Sequence, residues 1–228
     1  MATRKITYQS GTAASADVNS ALRQRFAAIR AELDVPADFP PDVIAEAQAA
    51  VDHPPVVDRD ETGVPFWTLD PVGSMDLDQA MCLERDGDGY RVRYAIADVP
   101  AFVAPGGPLD AETRRRGLTI YAPDERTPLH PTSLSEGGAS LLLGLVRPAY
   151  IWDMRLGADG AMTTLDLYRA MVRSVERRDY RALQQSIDDG MADANALLLK
   201  EIGEKRIALE HARGGASLPM PAREVVEE

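Results

Sequence analysis

Two runs of alternating apolar and polar residues, joined by a turn rich in glycine, constrain the fold of this chain more than any other feature. The runs are "AMCLE" and "YRVRYAIA", and Asp86-Gly87-Asp88-Gly89 lies between them. Alternation with a period of two is typical of half-buried strands, and Asp-Gly pairs favour the tight turns of hairpins. The sequence therefore predicts a β-hairpin. The turn lacks the further ligands and the distant bidentate glutamate of a calcium loop, so we interpret it as a turn only.

The remaining patterns predict further strands and helices around that hairpin. "PFWTL" predicts a strand before it, and apolar runs on either side of "ADG" at 158–160 predict a second hairpin. Helices are predicted for "PLDAETRRRGL", ended by Gly117, and for two segments between 180 and 215. The final "ASLPMPAREVVEE" is predicted to contain no closing element. This order of hairpin, helix, hairpin and helices predicts the α+β class, with a mixed β-sheet and packed helices.

The first 60 residues have a different character. Apolar residues recur there at helical spacing, at Val18, Leu22, Phe26, Ile29 and Leu33. "PPDVIAEAQAAV" predicts a second, shorter helix. Residues 1–60 are therefore predicted to be a short helical segment followed by a linker rich in proline and charge. Two interpretations are open, a helix-turn-helix module or helices that cap the main domain, and the lack of a strongly basic recognition helix favours the second.

Composition restricts the classes of function. The net charge of −11 argues against broad, non-specific binding of nucleic acid, because a polyanion needs a basic footprint. Two arginine clusters, at 114–116 and 169–181, are either solvated faces or walls that face phosphate. The single cysteine, Cys82, is expected in the core, and the sequence shows neither a zinc pattern nor a secretory signal. No stretch is apolar enough to span a bilayer, so a cytoplasmic protein without a membrane partner is expected.

A loop with three aspartates is the first candidate functional site. In "TLDPVGSMDLDQA", Asp70, Asp76 and Asp78 lie within nine residues of a loop that proline and glycine interrupt. Asp76 and Asp78 alternate with apolar residues, so an extended segment directs both carboxylates to one face, and Asp70 can fold back onto it. Oxygen ligands suit hard cations such as Mg²⁺ or Mn²⁺, which polarise a phosphate ester and generate hydroxide. The alternative is a solvated turn rich in aspartate.

Four blocks of the sequence, taken in order, resemble a known family. They are "TLDPVGSMDLDQA", "YAIADVPAFVAPGGPLDAETRRRGLTIYAP", "TPLHPTSLSEGGASLLLGLVRPAYIWDMRL" and "LDLYRAMVRSVERRDY". Together they resemble the first half of the RNB catalytic domain of the ribonuclease II and ribonuclease R family of exoribonucleases. The resemblance runs from about Phe66 to Tyr180. It implies that residues 61–228 are the N-terminal part of that catalytic domain, truncated before the second half.

The resemblance implies a hydrolytic 3′-to-5′ exoribonuclease that acts on single-stranded RNA, releases nucleoside 5′-monophosphates and uses Mg²⁺, or Mn²⁺ in its place. It assigns metal binding to Asp70, Asp76 and Asp78, and it makes Asp76 and Asp78 the catalytic candidates. The family loop has a further aspartate directly after the third. Here that position is Gln79, a metal ligand that contributes an amide oxygen but no full charge.

Two further residues are predicted to contact RNA. Tyr121, in "TIYAP", matches a family aromatic that stacks on the nucleotide at the 3′ end, and such stacking tolerates any base. Arg147 is predicted to reach phosphate. The alternatives are a half-buried packing residue for Tyr121 and a surface ion pair for Arg147. Asp98, in "IADV", is expected either to support the site or to cap a turn.

Two rival functions fit the same sequence. The first is a truncated or inactive RNB-like module that binds RNA or a protein partner, with activity lost through Gln79 and truncation. The second, weaker rival is a metal-dependent phosphoesterase that acts on a substrate other than RNA. Magnesium-dependent release of mononucleotides from labelled single-stranded RNA separates both rivals from the exoribonuclease.

Overall fold

The computed structural model describes residues 3–8, 13–216 and 222–227, and side chains from 21 to 216. The strands are β1 (Thr3–Tyr8), β2 (Phe66–Asp70), β3 (Gln79–Asp86), β4 (Gly89–Ala97), β5 (Ile120–Tyr121), β6 (Arg126–Thr127), β7 (Val146–Leu156), β8 (Met162–Asp179) and β9 (Ala222–Glu227). The helices are α1 (Ala13–Glu32), α2 (Pro41–Asp52), α3 (Pro108–Arg116), α4 (Tyr180–Asp188) and α5 (Ala194–Ala212). A 3₁₀ turn covers Val99–Phe102, and a π-helical turn covers Leu134–Gly138.

Five strands close into a barrel in the order β2-β3-β4-β7-β8. Strands β2 and β8 pair in parallel, whereas the other neighbours pair antiparallel. Both predicted hairpins are confirmed, and the turn of the first contains Gly87 at φ 61°, a conformation that glycine adopts without steric cost. The α+β class with a mixed sheet is confirmed as well. Closure of the sheet was not predicted, because it depends on the pairing of β2 with β8, which are distant in sequence.

The barrel interior is filled by apolar side chains, most of them small or branched. Phe66, Leu77 and Ile151 are completely buried there, and Cys82 is 3% exposed, as expected for a core residue. A second cluster lies outside the barrel, where helix α5 packs Leu198 and Ile202 against the strands. Burial of this apolar surface is the main favourable contribution to the fold.

Helix α2 packs on the barrel domain. Val43 and Ala47 of this helix are buried in a third cluster with Phe102, Leu109 and Leu134, which belong to the 3₁₀ turn, α3 and the π-helical turn. The two predicted N-terminal helices are confirmed, and for α2 the structure supports the interpretation as a cap on the main domain. Within the described residues, no helix has the length and apolar character that crossing a membrane requires.

One prediction about the chain ends is wrong. The final segment was predicted to contain no closing element, but Ala222–Glu227 forms β9 and pairs in parallel with β1, from Thr3 with Ala222 to Tyr8 with Glu227. Strand β1 also lies inside the segment that was predicted to be helical. The pairing joins segments at opposite ends of the sequence, and local patterns do not show which distant segments pair.

Candidate active site

The barrel fixes both ends of the loop that carries Asp70, Asp76 and Asp78, which we call the carboxylate loop. Asp70 is the last residue of β2, and Gln79 is the first residue of β3. Between them, Leu77 is completely buried, its N–H donates to Ser140 Oγ over 2.9 Å, and its carbonyl accepts from Leu141 N over 2.9 Å. Because Leu77 points into the core, the alternation of the loop turns Asp76 and Asp78 the other way, as the sequence predicts.

The three aspartates lie close enough to influence one another electrostatically. Burial raises the pKa of Asp70, and the negative charge of Asp76 raises it further, while Arg177 acts in the opposite direction. Burial also raises the pKa of Asp78, with smaller contributions from Asp76 and Asp70. In addition, Oδ2 of Asp70 is buried without a hydrogen-bond partner. The loop therefore concentrates negative charge that the surrounding side chains only partly compensate, a condition that favours cation binding.

The aspartates are not arranged as a complete metal cage. Among the side chains that the structure describes, no group of three carboxylate, histidine or cysteine side chains surrounds a common point suitable for a metal ion. Asp76 is directed to Arg126, whose Nη1 donates to Asp76 Oδ2 over 2.6 Å. The same guanidinium donates to Glu136 of the π-helical turn through Nη2. The oxygen donors of the loop fit a hard cation. In this structure, however, the guanidinium of Arg126 is the cation that contacts Asp76.

Gln79 also has a partner. The hydroxyl of Tyr94 donates to Gln79 Oε1 from the neighbouring strand β4. An amide oxygen has two lone pairs, so this contact leaves one for a metal ion.

A cavity of about 350 Å³ joins the loop to the β5–β6 hairpin. Its lining includes Asp76, Asp78, Gln79, Tyr121, Arg126 and His130. Tyr121 ends β5 and is 73% exposed, so it is not the half-buried packing residue of the alternative interpretation. The fold thus brings the predicted nucleotide-stacking ring and two of the three carboxylates, those of Asp76 and Asp78, to one cavity, although more than 40 residues separate them from the ring in sequence.

Arg147 and Asp98 have structural partners elsewhere. Arg147 is the second residue of β7 and donates to the carbonyl of Gly137 over 3.2 Å. Its Nε is buried and has no hydrogen-bond partner. Burial lowers the pKa of this guanidinium. It forms no ion pair among the described residues and is not part of the cavity lining, so its contact with phosphate stays a prediction. Asp98 is completely buried, accepts from Ala101 N over 3.2 Å and caps the 3₁₀ turn, as one of its two interpretations expected.

Most arginines of the two clusters pair with acids of this chain. Arg114 and Arg115 bind carboxylates of their own helix α3, which matches the interpretation as a solvated face, whereas Arg116 of the same cluster is buried and does not. Arg177 is different, because its Nη2 donates over 2.6 Å to the carbonyl of Ser74, inside the carboxylate loop. Sequence reasoning missed the roles of Arg177, Arg126 and Tyr94 at this site. Their side chains arrive from β8, β6 and β4, and no local pattern shows which strands neighbour the loop.

Comparison with known proteins places these observations in a family. A family model described as "RNB domain" matches residues 59–228. The chain is 33% identical over 144 residues to ribonuclease R of Escherichia coli, covering 62% of this chain and 18% of that protein. It is 31% identical over 135 residues to exoribonuclease 2 of Vibrio parahaemolyticus, covering 58% of this chain and 20% of the relative. The chain thus spans about a fifth of the length of these curated relatives.

Solved structures show the same fold. The structure titled "Mycoplasma genitalium RNase R in complex with double-stranded RNA" superimposes with a TM-score of 0.76 at 24% identity, covering 86% of this chain and 37% of that one. A second structure of that protein, in complex with ribose methylated single-stranded RNA, gives a TM-score of 0.77 at 23% identity, covering 86% of this chain and 32% of that one.

Proposed function

Because the chain belongs to the RNB-domain family, we propose that it contributes the metal site of a hydrolytic 3′-to-5′ exoribonuclease. The proposed substrate is single-stranded RNA, the products are nucleoside 5′-monophosphates, and the proposed location is the cytoplasm. The curated relatives are named ribonuclease R and exoribonuclease 2, which supports RNA as the substrate class.

One observation carries the proposal: the carboxylates of Asp76 and Asp78 and the exposed ring of Tyr121 line the same cavity. Asp70, Asp76 and Asp78, with the amide oxygen of Gln79, would hold Mg²⁺ or Mn²⁺. An ion held there would supply charge stabilisation at the phosphate and would favour formation of the attacking hydroxide. The buried oxygen of Asp70 that lacks a hydrogen-bond partner supports this assignment, since a cation would satisfy it.

The chain's own residues would hold and orient the RNA. The ring of Tyr121 would stack on the base at the 3′ end, an interaction of about 1–3 kcal/mol that does not depend on base identity. A flat ring in an open cavity favours an unpaired nucleotide, because the bases of a duplex already stack on one another. Arg147 would contribute to phosphate binding after a change of its present backbone contacts, and it is the weaker of the two assignments.

A second function is favoured by two specific contacts. Arg126 occupies Asp76, and Tyr94 occupies Gln79. Each contact uses an oxygen lone pair that would otherwise be available to a metal ion, as expected for a module that binds RNA without hydrolysing it.

The decisive experiment is digestion of a 5′-labelled single-stranded RNA in Mg²⁺ by the wild type, by Asp78→Asn and by a control, Asp86→Asn. Asp86 lies in the β3–β4 turn at the other end of β3. We expect stepwise shortening from the 3′ end by the wild type and by the control, and at least a hundredfold loss in Asp78→Asn, because removal of one stabilising group at the reacting centre typically costs that much.

RNA binding separates the candidate functions. Binding by Asp78→Asn should stay within about twofold of the wild type, since stacking and phosphate contacts are unchanged. Hydrolysis by Asp78→Asn at the wild-type rate refutes the catalytic assignment. Binding without any Mg²⁺-dependent hydrolysis by the wild type supports the second function instead.

A further inference from the structure

Arg126 is a cationic side chain that faces the carboxylate loop from a different element. Its Nη1 donates to Asp76 Oδ2 over 2.6 Å, and its Nη2 donates to Glu136. The Arg126 side chain is 33% exposed, and those of Asp76 and Glu136 are 28% and 27% exposed. Asp76 and Arg126 are 50 residues apart in the chain, so the tertiary fold creates this bridge between two carboxylates.

The hairpin that carries Arg126 also carries Tyr121. The two residues are register partners in the β5–β6 pair, and both line the same cavity. On the side toward α1, Arg30 binds Asp124 over 2.9 Å and Glu125 over 3.1 Å, in the turn between the two strands. Ion pairs thus hold the hairpin at α1 on one side and at the carboxylate loop on the other. Because Arg126 and Tyr121 are paired in the hairpin, a change at Arg126 alters the position of Tyr121.

Resting on the proposed function, we infer that Arg126 is a positioning residue whose guanidinium takes the place of a cation at Asp76. A carboxylate oxygen that accepts from a guanidinium offers fewer lone pairs to a metal, and the guanidinium repels a divalent ion nearby. Metal binding at Asp76 therefore competes with the Arg126 contact. A metal ion at Asp76 would thus remove one of the two carboxylate contacts of Arg126, and the change would reach Tyr121, which is the register partner of Arg126 in the hairpin.

The competition predicts that removal of Arg126 raises metal affinity, and this direction makes it testable. A residue that merely stabilises the loop would lower metal affinity when it is removed, because the ligands would become less ordered. Loss of a competing cation raises metal affinity instead. The two roles of Arg126 thus predict opposite changes in the same measurement.

The experiment is calorimetric titration with Mn²⁺ of the wild type, Arg126→Gln, Arg126→Lys and a matched control, Arg155→Gln. Arg155 pairs with Asp86 at the other end of β3, so its substitution changes the net charge equally without touching the loop. We expect Arg126→Gln to bind Mn²⁺ about tenfold more tightly than the wild type, a magnitude typical for removal of one nearby charge. Arg126→Lys, which keeps the charge but lacks the planar guanidinium whose two nitrogens contact Asp76 and Glu136 separately, should fall between the two.

Thermal melts of the same proteins show whether each variant is folded, and Arg126→Gln should gain more stability from Mn²⁺ than the wild type. Tighter binding by Arg126→Gln, including binding where the wild type shows none, supports the inference. Equal or weaker binding relative to Arg155→Gln overturns the inference and leaves the proposed function intact. Absence of Mn²⁺ binding by every variant overturns both the inference and the metal dependence of the proposed function.

Discussion

Substitution of Glu112 by Gln should destabilise the whole domain. Glu112 is 6% exposed, and it accepts hydrogen bonds from Arg116 Nε over 2.8 Å and from Arg115. Arg116 is itself buried, lies over the ring of Phe39 at 3.7 Å, and donates to carbonyl oxygens of the segment between α1 and α2. This cluster therefore ties the N-terminal segment to α3.

The magnitude follows from the burial of Arg116. Removal of one partner from a buried ion pair costs about 3–5 kcal/mol, because the other charge stays buried without compensation. Arg116 keeps its carbonyl partners in the variant, so we expect a loss of about 2–3 kcal/mol. For a chain of this length, such a loss lowers the melting temperature by roughly 4–12 °C. Glu204→Gln, which breaks an exposed pair with Lys200, is the control and should cost less than about 0.5 kcal/mol.

The pH dependence provides a second readout. The neighbouring guanidinium groups lower the pKa of Glu112 from 4.5 to about 2. A carboxyl whose pKa is lower in the folded state contributes stability above its unfolded pKa and loses it as the pH falls toward the folded value. Wild-type stability should therefore decrease between pH 4.5 and 2, and Glu112→Gln should show less of this decrease. Thermal melts across this range measure both effects, and identical melting temperatures with parallel pH profiles would refute the reasoning.

Two further substitutions test the site itself. Gln79→Asp adds a fourth carboxylate next to Asp78, so calorimetry should show Mg²⁺ affinity tightened several-fold, and melts in EDTA should show a lower melting temperature. The control, Gln79→Ala, loses the contact with Tyr94 without adding a charge, so it separates the two effects. A metal affinity unchanged by Gln79→Asp would argue for a merely solvated loop. Tyr121→Ala should lengthen the final oligonucleotide in an RNA digest because short products lose about 1–3 kcal/mol of stacking, whereas Tyr121→Phe should leave the product length unchanged. Equal end products from Tyr121→Ala and the wild type would exclude stacking.

Local patterns predicted the elements of the fold well. The two hairpins, the strand β2 and the helices α2 to α5 all follow from alternation, turn residues and helical spacing, which are properties of neighbouring residues. Barrel closure and the β1–β9 pair were missed, because each depends on contact between segments at least 90 residues apart. The alternation of Leu77 with Asp76 and Asp78 was sufficient to predict that the carboxylates share one face.

The partners of the site residues were much less predictable. The sequence suggested Gln79 as a ligand but gave no indication that Tyr94 donates to it across the β3–β4 pair. It gave no indication that the side chain of Arg147 donates to the backbone carbonyls of Val146 and Gly137. It did not single out Arg126, because β6 is only two residues long and no local pattern shows that this side chain faces the carboxylate loop. In each case the partner is chosen by packing of distant elements and not by local spacing.

The most direct test of a metal site in the carboxylate loop is titration of the wild-type protein with Mg²⁺ by calorimetry, with thermal melts alongside and Asp78→Asn as the reference. A bound ion at a concentration of about 100 times its Kd stabilises the folded state by about 2.7 kcal/mol, which raises the melting temperature by roughly 5–11 °C. We predict binding heat and this rise for the wild type, and loss of both in Asp78→Asn. A wild-type protein that shows neither binding heat nor a metal-dependent melting temperature contradicts the account.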